Sequence, residues 1–178
     1  MKKWIYSALF LSIGMVLPFL TSQVKEFGDT LLPMHLPIFL CGIICGAECG
    51  VVTGLMLPFL RSILFGMPPL YPNAIWMALE LATYGLVIGI LYRRKKNPSN
   101  KYLCFSLLVS MIAGRIVWGI AKAVLLGLHS KQFTLHAFVV GGFVDAIPGI
   151  ILQFVLIPSI LKMIQHQRKK NFDIVQKI

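Results

Sequence analysis

Charged residues are scarce in this sequence, and acidic ones are the rarest: Asp and Glu together account for 6 of 178 residues. Charged residues make up 13% of the chain, hydrophobic residues make up 57%, and the mean hydropathy is +0.81. A soluble domain of this size carries roughly a quarter charged residues. Because so little charge cannot cover a water-facing surface, we expect lipid to be the main solvent of the chain.

The signatures of common enzymes are missing as well. The chain has no HExxH, no GxSxG and no GxxxxGK[ST] motif. Cys41, Cys45 and Cys49 recur every fourth residue and so share one face of a helix. Because Glu48 is the one His or carboxylate partner nearby, they are better explained as small packing residues than as metal ligands. The sequence therefore predicts a protein that is not an enzyme and has no metal site and no cofactor.

The length allows six or seven membrane spans and no separate soluble domain, since one span needs about 20 apolar residues. We predict a single-domain, all-α membrane protein, a compact bundle of six transmembrane helices. The predicted spans are residues 4–21, 33–46, 49–65, 73–92, 102–126 and 137–164.

The net charge of +11 is interpreted as topology and not as a sign of nucleic-acid binding. The Lys and Arg residues cluster at Lys2-Lys3, in 93–101 and in 162–177. All three clusters fall on one side only if the long apolar stretch 31–64 is split into two spans near 47–49. The positive-inside rule then predicts that both termini are cytoplasmic.

Apart from Lys162, which lies at the end of the sixth span and belongs to the basic cluster 162–177, five charged residues lie inside predicted spans, where exposure to lipid is expensive. They are Arg61, Glu80, Arg115, Lys122 and Asp145. Some of them also fall on polar, aromatic helix faces, one formed by Asn73, Trp76, Glu80 and Tyr84 and the other by Arg115, Trp118 and Lys122. These two faces are predicted to converge on a polar pocket open to the outside.

Two interpretations of the buried charges stay open. They form structural ion pairs, such as Arg61 with Glu80 and Arg115 with Asp145, or they meet a ligand. Three cations against two anions favour a ligand with a carboxylate or a phosphate. The complete predicted binding set is His35, Arg61, Tyr71, Asn73, Trp76, Glu80, Arg115, Trp118, Lys122 and Asp145.

Small residues at four-residue spacing form a second pattern. Gly42, Gly46, Gly50 and Gly54 are predicted to pack helices closely inside the bundle. Ala8 and Ser12 lie on the first helix, where a contact between subunits is more plausible.

Several motifs between residues 30 and 92 resemble the S components of energy-coupling factor transporters. They are Leu32-Pro33-Met34-His35-Leu36-Pro37, Cys41-Gly42, Pro58-Phe59-Leu60-Arg61-Ser62, Phe65-Gly66-Met67-Pro68-Pro69 and Met77-Ala78-Leu79-Glu80-Leu81-Ala82-Thr83-Tyr84-Gly85. The sequence is most similar to the pantothenate-type subset.

The resemblance implies a six-helix, multi-pass subunit of the bacterial plasma membrane that captures a small-molecule vitamin from outside. Its implied partners are a transmembrane coupling subunit and two cytoplasmic ATPase subunits. It further implies that Ala8 and Ser12 dock the coupling subunit and that loop 66–72 closes over the ligand. An S component for another B-type vitamin or a precursor, an ion-coupled secondary transporter, a membrane enzyme and a structural scaffold are the alternatives.

Overall fold

The computed structural model describes residues 2–22, 33–95, 98–127 and 147–175. Every regular element in these ranges is helical. The helices are α1 (Lys2–Ser22), α2 (His35–Cys45), α3 (Ala47–Phe65), α4 (Ile75–Arg93), α5 (Asn100–Gly127) and α6 (Ile147–Val175), with an irregular turn, Leu70–Ala74, before α4. The all-α prediction is therefore confirmed for the described part of the chain.

The long apolar stretch is broken at a single residue, Gly46. Its φ of 104° belongs to the region that favours glycine, and its N–H donates to the carbonyls of Cys41 and Gly42 at 3.3 and 3.1 Å. Helix α3 then begins at Ala47. The predicted division into two helices is confirmed, and the break lies one residue before the predicted position.

Helices α1 and α3 lie side by side and run in the same direction. Three contacts join the two helices: a hydrogen bond between Ser7 and Thr53, a hydrogen bond from Arg61 to the Met15 carbonyl, and packing of Phe19 on Phe65. In each of them the two residues are 46 positions apart in the sequence. A constant offset of this kind requires parallel helices. Since α1 and α3 run the same way, α2 returns the chain between them.

Helix α4 runs opposite to α3 and approaches it through glycines. A Cβ built on Gly54 would lie 2.6 Å from the carbonyl carbon of Leu81, and one on Gly50 would lie 2.8 Å from the carbonyl oxygen of Gly85. A Cβ built on Gly42 of α2 would lie 2.8 Å from the same carbonyl oxygen of Gly85. The prediction that this glycine series packs the bundle internally is confirmed for these three positions, where only glycine lets the backbones come so close.

These directions bring six basic residues to one end of the bundle: Lys2, Lys3, Arg93, Arg94, Lys95 and Lys101. Helix α5 continues the pattern, because it starts beside the end of α4, where Tyr102 Oη donates to the Leu91 carbonyl at 3.0 Å. We call this the basic end. The sequence predicted that the 93–101 cluster lies on the same side as Lys2-Lys3, and the directions of the helices agree with that prediction.

By length and composition, four of the described helical stretches are able to cross a membrane: Ala47–Phe65, Leu70–Arg93, Asn100–Gly127 and Ile147–Ile164. Helix α2 is a shorter apolar helix of 11 residues. The first ten residues of the predicted sixth span, 137–146, lie outside the described residues. Large apolar side chains are exposed along the outer faces, including Ile5, Ile63, Ile120 and Met163, as expected for a surface in contact with lipid.

Candidate functional site

Glu80 lies at the centre of a buried polar cluster formed by α2, α4 and α5. Tyr84 Oη donates to Glu80 Oε1 at 2.6 Å, and Arg115 Nη1 lies 3.0 Å from the same oxygen. Glu80 and Arg115 are 3% and 6% exposed, so the ion pair is almost fully removed from solvent. A buried charge needs such a partner, and each of these two supplies it for the other.

Tyr84 is held in place by a glycine on the neighbouring helix. Its ring packs on Phe39, with a centroid distance of 5.1 Å, and it lies so close to Gly114 of α5 that a Cβ there would overlap it. The tyrosine is 1% exposed. Gly114 therefore makes room for the phenol that fixes the position of the Glu80 carboxylate.

Cationic and aromatic side chains adjoin this cluster, towards the end of α5. The Lys122 ammonium lies 4.6 Å from the Trp118 ring centroid and 5.7 Å from that of Trp76, and the Arg115 guanidinium lies 5.8 Å from Trp118. Both indoles are largely buried. Cations placed over indole faces at these distances are attracted by the rings. The predicted approach of the two aromatic faces is thus confirmed.

His35 begins α2 and reaches the same cluster. Its ring lies 5.1 Å from that of Tyr84, and its Nε2 atom lies 3.7 Å from Glu80 Oε1, which is too long for a hydrogen bond. The residue is 4% exposed, and within the described structure neither ring nitrogen has a hydrogen-bond partner.

Arg61 contacts α1 and not Glu80, with which an ion pair was considered. Its Nη1 donates to the Met15 carbonyl at 2.6 Å, and its guanidinium lies 5.2 and 5.7 Å from the rings of Phe19 and Phe65. The ion pair with Glu80 is not formed in the described structure, because the Arg61 guanidinium is directed at α1 while Glu80 pairs with Arg115. In the described residues Arg61 therefore joins α1 to α3.

The remaining predicted residues are spread more widely. Tyr71 is exposed and Asn73 is half-buried, both in the irregular turn before α4. Asp145 lies outside the described residues, so its pairing with Arg115 stays untested. Residues 66–69 are not helical, as predicted, while 70–74 form one wide turn in which the Ala74 N–H donates to the Pro69 carbonyl at 3.0 Å.

A groove of about 310 Å³ lies between α4 and α5 but outside the polar cluster. It is lined only by apolar side chains, including Leu79, Ile120 and Val124, which are exposed on the outer surface of the bundle. A groove of this composition suits lipid contact, and it contributes no polar group to the site.

Ala8 and Ser12 are both exposed on α1, and Ser12 Oγ donates to the Ala8 carbonyl at 3.0 Å. The opposite face of α1 is buried, where Ser7 Oγ lies 2.7 Å from Thr53 Oγ1 and 3.7 Å from Cys41 Sγ. The Cys41 thiol thus takes part in helix packing. Among the described residues no group of three His, Cys, Asp or Glu side chains is placed to hold a metal ion.

Two residues of the cluster were not in the predicted binding set. Tyr84 was noted only as a member of the α4 face, although its position four residues after Glu80 was a usable signal. Gly114 carried no signal, because its role depends on which residue of α4 faces it.

The comparisons with known proteins agree with these observations. No curated protein and no solved structure matched the chain significantly. Residues 2–161 match the family described as the substrate-specific component of ECF transporters. The match covers most of the chain and includes all helices that form the polar cluster. Members of this family are transport subunits in the membrane that bind a small molecule and are not enzymes, and this chain belongs to the ECF transporter substrate-specific component family.

Proposed function

We propose that this chain is the high-affinity capture subunit of an ATP-driven importer for a water-soluble vitamin, with pantothenate as the first candidate. The observation that carries the proposal is the buried Glu80–Arg115 pair with the Lys122 ammonium beside it. Buried charge in a membrane protein is expensive and is characteristic of substrate pathways. Another B-type vitamin or a precursor is the alternative cargo.

The sign of the charge supports an anionic group on the cargo. Within the described residues the cluster contains two cations, Arg115 and Lys122, but only one carboxylate, Glu80. Arg115 is paired with that carboxylate, which leaves the Lys122 charge without a counter-ion in the described structure. A carboxylate or phosphate on the vitamin would supply it. The predicted set of binding residues, including Arg61, Tyr71, Asn73 and Asp145, stays a proposal.

The basic end indicates how the subunit lies in the membrane. Lys and Arg are enriched on the cytoplasmic side of bacterial membrane proteins, so the basic end is proposed to face the cytoplasm of the bacterial cell. The polar cluster then lies in the outer half of the bundle, since Glu80 and Arg115 are far along α4 and α5 from that end. Six spans and two cytoplasmic termini complete this topology.

The energy for import is proposed to come from partner chains, a transmembrane coupling subunit and two cytoplasmic ATPase subunits. The exposed Ala8–Ser12 face of α1 is the proposed docking surface for the coupling subunit. Small residues allow close approach of another helix in lipid.

The docking surface is tested by enlarging Ser12. Ser12→Leu should abolish uptake by reconstituted transporter while vitamin binding by the isolated subunit is retained, because the side chain already points away from the bundle. Ser159→Leu is the matched control, since Ser159 is also exposed and also donates to the carbonyl four residues earlier. Loss of binding in Ser12→Leu would instead assign the residue to the structural core.

The function itself is tested with purified protein in detergent and no ATP. Calorimetry and thermal shift against a panel of water-soluble vitamins should show tight binding of one of them, which would identify the cargo. If folded protein bound no vitamin, an ion-coupled carrier or a different ligand class would be favoured over a vitamin-capture subunit.

A further inference from the structure

His35 has a position that packing alone does not explain. It is 4% exposed, and both Nδ1 and Nε2 lack a hydrogen-bond partner within the described structure. Buried polar side-chain atoms are normally hydrogen-bonded, because leaving them without a partner is destabilising. Its ring is nevertheless directed at the polar cluster, with Nε2 3.7 Å from Glu80 Oε1. A ligand group that forms hydrogen bonds with the imidazole would remove this destabilisation.

Glu80 offers a second unused position next to this imidazole. Its described contacts with Tyr84, Arg115 and His35 all fall on Oε1. None of these contacts falls on Oε2. A neutral imidazole has one donor and one acceptor nitrogen, and a carboxylate oxygen accepts only. Together they match an uncharged group that both donates and accepts, such as a hydroxyl or a secondary amide.

The cationic part of the site is displaced from this position along α5. Lys122 follows Arg115 by seven residues, which corresponds to about 10 Å of rise along a helix. The described contacts of its ammonium are the faces of Trp76 and Trp118. Indole faces attract the cation but do not neutralise it, so the ammonium retains its capacity to bind an anion.

We propose that the site takes a bipolar ligand, with its anionic group at Lys122 and an uncharged hydroxyl or amide group at His35 and Glu80 Oε2. Because Lys122 follows Arg115 by about 10 Å along the axis of α5, the ligand is expected to be a small extended molecule. His35 is then a ligand-binding residue whose hydrogen bonds are completed by the cargo. This inference rests on the proposed function as a vitamin-capture subunit.

The anionic end is tested by changing the protein and the ligand together. Pantothenate and pantothenol, in which an alcohol replaces the carboxylate, are titrated by calorimetry into the native protein, Lys122→Met and Lys101→Met. Lys101 is an exposed lysine of the same helix at the basic end and serves as the control. The native protein and Lys101→Met should prefer pantothenate at least tenfold, and Lys122→Met should lose that preference. A preference that persists in Lys122→Met overturns the assignment.

The uncharged end is tested in the same way with His35→Phe, which keeps a ring beside Tyr84. The native protein should bind pantothenate at least tenfold more tightly than an analogue lacking its terminal hydroxyl, whereas His35→Phe should bind both equally. A general loss of structure would lower both affinities and leave their ratio unchanged, which would overturn a direct contact.

The outcomes also separate this inference from the proposed function. The vitamin panel includes the pairs nicotinate and nicotinamide, biotin and biotin amide, and pyridoxal phosphate and pyridoxal, together with thiamine. Preference for the anionic member of the pantothenate, biotin or pyridoxal phosphate pair, lost in Lys122→Met, supports the bipolar assignment for that cargo. Tightest binding of nicotinate, which has no hydroxyl or amide group, of thiamine or of an uncharged member overturns it while the capture function stands. Binding of no compound by folded protein overturns both.

Discussion

Helix α4 contacts its two neighbours in opposite ways. Towards α3 it presents backbone, because Gly85 and Leu81 meet Gly50 and Gly54 at distances that leave no room for a side chain. Towards α5 it presents Trp76, whose ring lies near Lys122, and Glu80, which pairs with Arg115. We call these the glycine contact and the polar contact. The glycine contact contains no side chain that could change its conformation, so it is suited to fixing the position of α4. The polar contact carries the groups that are proposed to bind cargo.

The largest effect is expected where the polar contact is broken on one side. Arg115→Ala leaves the Glu80 carboxylate buried without its cation, and removal of one partner from a buried pair costs about 3–5 kcal/mol. The measurement is thermal unfolding in detergent, with and without the cargo. Replacing both partners, with Glu80→Gln and Arg115→Met, should restore much of the stability but not the binding. A single variant as stable as the native protein would contradict the importance of this pair.

Enlarging one residue of the glycine contact is expected to have a smaller effect on stability. In Gly54→Ala the new methyl group would lie 2.6 Å from the Leu81 carbonyl carbon, so α3 and α4 must separate. Overpacking of this kind costs about 1–3 kcal/mol. Gly127→Ala is the control, because no atom of the described residues lies within 4 Å of a Cβ at that position. Equal melting temperatures for the two variants would show that the contact is looser than described.

The smallest expected effect is at His35, and its sign distinguishes function from structure. Because neither nitrogen of the imidazole has a partner in the described structure, His35→Phe should leave the ligand-free melting temperature unchanged or slightly raised. A gain of up to about 1 kcal/mol is reasonable when an unsatisfied buried group is removed. A clear fall in ligand-free stability would mean that His35 supports the fold, in contrast to Arg115.

The polar contact was largely predictable, because its residues repeat at helical spacing on two adjacent helices. Trp76 and Glu80 on one side and Arg115, Trp118 and Lys122 on the other were expected to converge, and they do. Adjacent antiparallel helices are in contact along their length, so their polar faces are expected to pack against each other and not against lipid. Whether these residues bind cargo stays a prediction.

The contacts of Arg61 were not predictable from the same reasoning. Its partners Met15 and Phe19 lie on α1, and they come within reach only because α1 and α3 are parallel with an offset of 46 residues. The sequence suggests no such offset, since α2 and residues 23–34 separate the two helices along the chain. The proximity of His35 to Glu80 similarly depends on the register of α2 against α4.

The order of the helices along the chain also has a consequence for biosynthesis. Glu80 lies on α4 and its cation on α5, so the carboxylate leaves the ribosome 35 residues before Arg115. A lone ionised carboxylate is costly at the centre of a bilayer. We therefore expect α4 to wait at the protein-conducting channel until α5 has followed, and the two helices to enter the lipid as one hairpin with their charges already matched.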